Sequence, residues 1–309
     1  MVFTKKALGL EICRNGLRMA VLEGTRGAPP KLCAAGIDSF DAETLRFSQR
    51  DPNVLNPASF TAKVKDTHLK LLTRVHRASV SLPDSVGRIM LLDLETRFRS
   101  RDEGADIIRW KLKKSFPVDI NAIHLDYQVL RRRETGETVV LVALIAREVV
   151  QQYEELLLEA GLEPVRIGFT SFSLYRLFAR RLALAENALL LTYFGRTVGI
   201  MAVRDGVLDF CRSKEIRASA FDPERVFREI TGSLLAYRER NQAHAAHEVF
   251  CAAAGSAARD FRDLVAEATG SEPRVLRSAD AISPRDDIVC DAVLFDLLSA
   301  SAGAAMGDL

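Results

Sequence analysis

The sequence predicts a duplicated α/β fold of two lobes, because two halves of the chain repeat the same order of elements. Each half opens with a meander of three predicted strands, and each meander leads into a helix. The composition is that of a chain that buries a core, since 48% of the 309 residues are hydrophobic and 27% are charged. This length suggests about two domains.

The first meander carries a strong turn signal at Arg14-Asn15-Gly16. Asn-Gly favours a hairpin because both residues tolerate positive φ. The helix that follows the meander has Ser59 as its N-cap. We predict strands over 7–13, 17–23 and 31–37 and a helix over 59–75.

The middle of the chain alternates strands with amphipathic helices. Pro117 ends the first of these helices, because proline has no backbone N–H for a helix interior, and Gly161 ends the second. Glu134-Thr135-Gly136 marks a hairpin between two of the strands. We predict strands over 78–82, 88–94, 123–131, 138–146 and 164–169 and helices over 100–116 and 149–160. The strand over 164–169 completes a β-α-β-β-α-β block of about ninety residues.

The second half repeats the meander, with turns at Gly195-Arg196-Thr197 and Asp205-Gly206. The helix after it has Val226, Ile230 and Leu234 among its apolar positions. We predict strands over 188–194, 198–204, 207–213 and 248–252, a helix over 223–240, and a final Ala-rich helix after Asp291.

Charge and hydropathy exclude two classes of protein. Lys and Arg number 43 against 41 Asp and Glu, so a net charge of +2 provides no electrostatic excess for nucleic acid. The longest apolar run, 138–146, is far shorter than the roughly 18 residues of a membrane-spanning helix. Glu11 and Arg14 interrupt the apolar stretch near the N-terminus before a signal-peptide core can form. We expect a cytoplasmic protein with no cleaved leader and no direct membrane span.

Common catalytic and metal-binding signatures are absent from the sequence. It contains no GxxxxGK[ST], no GxGxxG and no GxSxG. The five cysteines include no CxxC pair, and His244 and His247 have no third ligand at metal-binding spacing. We expect reduced thiols and no metal site in the protein fold, and we assign no catalytic residue.

Several stretches carry a family resemblance when they are taken in order. They are Ser81-Leu82-Pro83-Asp84-Ser85, Ile108-Arg109-Trp110 ahead of Phe116-Pro117, Leu125-Asp126-Tyr127-Gln128-Val129-Leu130, and the helix over 228–240. Together they resemble the PilM family, the actin-like cytoplasmic proteins of type IV pilus assembly. The resemblance covers nearly the whole chain.

The resemblance implies a duplicated actin-like (ribonuclease-H-like) fold, with two lobes around a central cleft and an FtsA-like insertion. The predicted β-α-β-β-α-β block is then a subdomain inserted in the first lobe. The implied division is a first lobe over 1–77, the inserted subdomain over 78–169, a return to the first lobe over 170–187, a second lobe over 188–290, and a C-terminal helix over 291–309.

The resemblance also implies a function. In PilM relatives the cleft holds ATP with magnesium, and the protein docks the N-terminal cytoplasmic tail of the inner-membrane protein PilN. We therefore expect a cytoplasmic scaffold, recruited to the inner membrane through a PilN-like partner and other pilus or secretion components. The tail is expected in the groove beside the inserted subdomain, by strand addition or through pockets for apolar side chains. Self-association is left open.

The phosphate-binding turns of the family are altered in this chain. The first Asp-x-Gly turn is matched by Glu11-Ile12-Cys13 and the second by Thr192-Tyr193-Phe194, so both glycines that allow close backbone approach are replaced. The adenosine turn becomes Ala252-Ala253-Ala254-Gly255-Ser256. The implied, degenerate nucleotide-binding residues are Glu11, Arg14, Asn15, Gly16, Thr192, Gly195, Arg196, Thr197, Gly255 and Ser256.

These changes favour a scaffold with weak or no ATP binding. The enzyme alternative is an actin-fold ATPase in which Glu11 organises magnesium while Gly16, Gly195 and Gly255 supply backbone freedom. A third possibility is ATP held as a structural ligand without hydrolysis. Arg14 and Arg196 either pair with phosphate or are exposed turn arginines.

Overall fold

A computed structural model describes residues 4–14, 16–25, 28–113, 122–134, 136–218, 220–240, 247–288 and 291–309. Asn15, His244 and Cys290, on which sequence predictions rest, lie outside the described residues, as does the predicted helix end at Phe116-Pro117.

Helices and strands follow one another in the predicted order. The strands are β1 (Thr4–Cys13), β2 (Gly16–Thr25), β3 (Lys31–Asp38), β4 (Arg77–Leu82), β5 (Gly87–Leu94), β6 (Ile123–Arg132), β7 (Thr138–Ala146), β8 (Glu163–Phe169), β9 (Asn187–Phe194), β10 (Thr197–Arg204), β11 (Val207–Glu215), β12 (Glu248–Ala253), β13 (Arg274–Val275) and β14 (Ser283–Pro284). The helices are α1 (Pro57–Lys70), α2 (Arg101–Lys113), α3 (Arg147–Glu159), α4 (Thr170–Leu182), α5 (Pro223–Arg240), α6 (Ala258–Thr269), α7 (Ala292–Leu297) and α8 (Ser299–Ala305).

Two sheets of the described chain repeat one topology. The first has the strand order β14-β3-β2-β1-β4-β8 and the second has the order β11-β10-β9-β12-β13. Each contains an antiparallel meander whose first strand, β1 or β9, also pairs in parallel with a later strand, β4 or β12. The predicted duplication is therefore confirmed at the level of strand pairing.

A third sheet, β5-β7-β6, corrects the extent of the predicted inserted block. The first and last strands of the predicted range 78–169, β4 and β8, pair in parallel with each other and extend the first sheet from β1. Five of the six residues of β4 are buried, and a strand buried on both faces fits only the interior of a covered sheet. The separate sheet thus comes from 87–146 alone, and α3 packs Val149 and Tyr153 into the first-lobe core.

The predicted single helix over 291–309 is also corrected. The chain forms α7 and α8, which join at Leu298, and ends in a 3₁₀ turn over Met306–Asp308. All residues of α8 are buried between α4 and the first sheet. A Cβ on Gly9 would lie 1.8 Å from the Ser301 carbonyl oxygen, so only glycine allows the helix this close to β1.

One cluster of buried hydrophobic residues contains members from both lobes. It includes Ala20 and Leu22 from the first sheet, Leu190 and Met201 from the second, and Leu177 of α4 between them. Because the lobes share this core, their relative position is set partly by apolar packing.

The third sheet is tied to the second lobe by charged side chains. Arg131 of β6 pairs with Asp209 of β11 at 3.1 Å, and Asp93 of β5 accepts from Arg240 of α5 at 3.0 Å. The insertion therefore contacts the second lobe as well as the first.

None of the helices in the described ranges is both long enough and apolar enough to cross a bilayer. Among the described cysteines, Cys33, Cys211 and Cys251 form no disulfide.

Candidate functional site

A narrow cavity lies between the two lobes, where the ends of β1 and β9 meet. It is lined by Glu11, Cys13, Arg14, Phe47, Pro83, Asp84, Ser85, Thr170, Ser171, Leu174, Thr192, Phe194, Gly195, Thr197 and Glu215. Of the residues implied by the family resemblance, the fold brings five to this cavity, namely Glu11, Arg14, Thr192, Gly195 and Thr197. Gly16, Arg196, Gly255 and Ser256 are not among its lining residues.

Glu11 is paired with a cation that the sequence reasoning missed. Glu11 and Arg18 are direct partners in the antiparallel β1–β2 ladder, and the Arg18 Nη1 donates to Glu11 Oε2 at 3.0 Å. The Glu11 side chain is only 2% exposed and that of Arg18 is 12% exposed. The carboxylate raises the pKa of the Arg18 guanidinium, against the opposing effect of burial. The two side chains therefore form a buried ion pair.

Arg14 makes a contact across the cleft. Its Nη2 lies 2.7 Å from Glu215 Oε1, so the end of β1 in the first lobe is joined to the end of β11 in the second. The Arg14 side chain is 50% exposed. Its charge is therefore paired within the protein, although half of the side chain is exposed.

Asp84 is a second buried acid of the cavity, with 6% of the residue exposed. It accepts hydrogen bonds from the Ser171 N–H at 3.1 Å, from the Ser171 hydroxyl, and from Ser213 of β11. Burial raises the pKa of this carboxyl, and the hydrogen bonds oppose that rise. Because Ser171 lies in the first turn of α4, Asp84 satisfies a helix N-terminal N–H and ties β4, α4 and β11 together. It stands in the Ser81–Ser85 motif, to which the sequence assigned no role in the cleft.

The turn between β9 and β10 contains Gly195, and the residue before it, Phe194, is buried. Gly195 and Arg196 have φ of 54° and 69°, as a two-residue hairpin turn requires. Phe194, which replaces the glycine of the family pattern, is 6% exposed and packs in the core shared by both lobes. Phe194 also lines the cavity between the lobes.

The predicted adenosine turn is open but lies apart from the cavity. Gly255 has a φ of 77° and starts the 3₁₀ turn Gly255–Ala257, with Ser256 exposed. A Cβ on Gly255 would meet no atom within 4 Å.

The cavity between the lobes is small. Its volume is about 20 Å³. A single buried water needs about 10–15 Å³ on the same measure, so the space holds about one water molecule. In the described part of the chain, no group of three or more His, Cys, Asp or Glu residues is arranged to hold a metal ion.

A much larger groove lies beside the third sheet, with a volume of about 970 Å³. β6 is an edge strand of the third sheet and β8 is an edge strand of the first, and residues of both strands line the groove. α4 and the turn between β10 and β11 also contribute to its walls. Its apolar lining includes Leu125, Val129, Leu130, Leu141, Ala143, Ile145, Val150, Val165, Ile167, Phe169, Phe172, Tyr175, Val207 and Leu208.

The similarity to solved structures extends over nearly all of this chain. A chain of a PilM–PilN type IV pilus biogenesis complex superposes with a TM-score of 0.81 at 20% identity, covering 97% of this chain and 98% of that one. A Bacteroides thetaiotaomicron protein with an actin-like ATPase fold and unknown function gives 0.53 at 12% identity, covering 95% and 94%. The cytoplasmic domain of EpsL, an inner-membrane component of the type II secretion system of Vibrio cholerae, gives 0.50 at 11% identity, covering 96% and 94%.

These likenesses confirm the predicted duplicated actin-like fold. No protein-family model and no curated protein matches the sequence.

Proposed function

We propose that this protein is a docking scaffold of a type IV pilus or related secretion assembly, and that its groove binds the N-terminal cytoplasmic tail of a PilN-like inner-membrane protein. The observation that carries the proposal is the groove between two sheet edges, in a chain that superposes over its whole length on a chain of a PilM–PilN complex.

The groove has the two features that an extended peptide needs. The edge strands β6 and β8 offer backbone N–H and C=O groups to a further strand, and the apolar lining offers sites for every second side chain. β8 has seven residues, so a tail segment of similar length, about 23 Å when extended, would match it.

The proposal places the protein in the cytoplasm, recruited to the inner membrane by the tail it binds. The interlobe cleft then has a structural role with weak or no ATP binding. The small cavity supports this assignment over the enzyme alternative.

A pair of matched variants tests the site of binding. Val165 lines the groove and is 36% exposed, whereas Val275 is 42% exposed on β13 of the second sheet. Val165→Glu puts a charge into the apolar groove and is expected to weaken tail binding at least tenfold, while Val275→Glu leaves it unchanged. The readout is fluorescence polarisation of a labelled peptide, namely the N-terminal tail of the PilN-like protein from the same bacterium. Equal affinities for the two variants, or no binding by the wild type, would refute the proposal.

A further inference from the structure

The fold suggests a magnesium-nucleotide cleft, but the residues of this chain do not fit that ligand. A magnesium ion in such a cleft needs an available carboxylate and space for several water ligands. Glu11 is the carboxylate at the matching position, and one of its oxygens already accepts from Arg18 at 3.0 Å. The cavity beside it has room for about one water molecule, at about 20 Å³.

Arg18 cannot leave this carboxylate by losing its proton. A guanidinium stays charged under all ordinary conditions, so Arg18 remains a cation 3.0 Å from this carboxylate. A divalent cation would therefore have to share a buried carboxylate with a fixed positive charge. Two cations beside a carboxylate that is 2% exposed would repel each other in a region with little water to screen them.

The lobes are also held together by the chain itself. Arg14 and Glu215 bridge the cleft at 2.7 Å, and Asp84 joins the first turn of α4 to β11 through Ser171 and Ser213. Phe194 fills the intervening space from the second lobe. These contacts join the two lobes across the cleft.

We propose that Arg18 is a built-in substitute for the divalent cation of the cleft, so that the lobes stay closed without metal or nucleotide. The positive charge that neutralises Glu11 comes from β2 rather than from solution. Closure then does not depend on nucleotide level. The inference concerns the cleft alone and stands independently of tail binding in the groove.

The first test uses the wild-type full chain. Differential scanning fluorimetry with millimolar ATP and magnesium, against the same buffer with EDTA, is expected to show the same unfolding temperature. A ligand that binds the folded state raises that temperature by mass action, so a reproducible rise of several degrees would overturn the proposal.

The second test removes the internal cation. Arg18→Met leaves Glu11 buried and unpaired, and the unfolding temperature is expected to fall by about 10 °C. Manganese, used as a divalent probe, is expected to recover part of that loss by pairing with the Glu11 carboxylate that Arg18 no longer neutralises. The double variant Glu11→Gln with Arg18→Met is expected to be more stable than Arg18→Met and insensitive to manganese.

A control variant tests whether recovery by manganese is specific to the loss of Arg18 or follows the loss of any paired arginine. Arg204 is 21% exposed and pairs with Asp209 at 3.3 Å away from the cavity, so Arg204→Met is expected to show no manganese response. If Arg18→Met folds and manganese leaves its unfolding temperature unchanged, Arg18 does not occupy a cation site and the proposal fails. If Arg18→Met does not fold, the wild-type titration still decides.

Discussion

Glu11 and Arg18 face each other across β1 and β2 and form an ion pair of 3.0 Å that is almost completely buried. Glu11 is the residue that the family resemblance assigns to magnesium. Its partner is supplied by the same hairpin, so the charge is neutralised within one local unit of structure. The Glu11 carboxylate is therefore neutralised by a side chain of the protein itself.

A double-mutant cycle measures how strongly this pair is coupled. Arg18→Met alone is expected to lower the free energy of unfolding by about 3–5 kcal/mol, because an uncompensated buried carboxylate remains. Glu11→Gln with Arg18→Met removes both charges and is expected to lose much less. Urea unfolding of the wild type, both single variants and the double variant gives the coupling energy. Additive losses would show that the two side chains do not stabilise each other.

The Arg14–Glu215 contact is predicted to contribute far less to the free energy of unfolding than the Glu11–Arg18 pair does. The Arg14 side chain is half exposed, and exposed ion pairs contribute about 0–1 kcal/mol. Arg14→Ala is therefore expected to change the unfolding free energy by less than about 1 kcal/mol, and the difference should shrink further in high salt. A loss as large as that of Arg18→Met would contradict this ranking of the two pairs.

Gly303 of α8 is predicted to be among the least replaceable residues. A Cβ there would lie 1.9 Å from the Ser173 carbonyl oxygen of α4, so Gly303→Ala forces the two helices apart and is expected to cost about 3 kcal/mol. Gly232 of α5 is an exposed helical glycine whose Cβ would meet nothing within 4 Å. Gly232→Ala is expected to raise stability by about 0.5–1 kcal/mol. Urea unfolding compares the two, and similar effects would contradict the packing of α8.

Asp84 is predicted to make stability depend on pH. Burial raises its pKa in the folded protein above the value of about 3.9 in the unfolded chain. The folded protein therefore holds the proton more tightly, and the unfolding free energy decreases as the pH rises from about 4 through the folded pKa. Asp84→Asn keeps an acceptor for the Ser171 N–H but carries no charge.

Thermal melts of the wild type and of Asp84→Asn across this pH range check whether stability falls with rising pH as predicted. The unfolding temperature of Asp84→Asn relative to the wild type is expected to increase with pH and then to level off above the folded pKa of Asp84. A relative unfolding temperature that is constant or decreases with pH would mean that the Asp84 carboxylate is stabilised in the folded state.

The order of elements could be predicted from the sequence, because turns and amphipathic periods are local signals. The turn at Gly195-Arg196 was located by its glycine, and the structure shows positive φ there. Sheet membership could not be predicted, since β1 pairs in parallel with β4 through Leu8 and Ala78, which no local pattern connects. For this reason the predicted inserted block included strands that belong to the first sheet.

A cleft between two lobes was predicted, but the contacts that Arg18 and Asp84 make in it were not. Arg18 could have been found, because pairing Cys13 with Gly16 sets a register that places Arg18 opposite Glu11. The contact of Asp84 with Ser171 joins residues 87 positions apart and has no such signal. The strands that line the groove were each predicted, but their meeting at one groove depends on the packing of two sheets.

Hydrogen exchange of the full chain, with and without a saturating PilN-like tail peptide, tests the docking proposal most directly. Strand addition in the groove predicts slower exchange of backbone N–H groups in β6 or β8, with little change in the second-lobe strands β12 and β13. Slowed exchange that is confined to other surfaces, or unchanged exchange at saturating peptide, would contradict the assignment of the groove as the docking site.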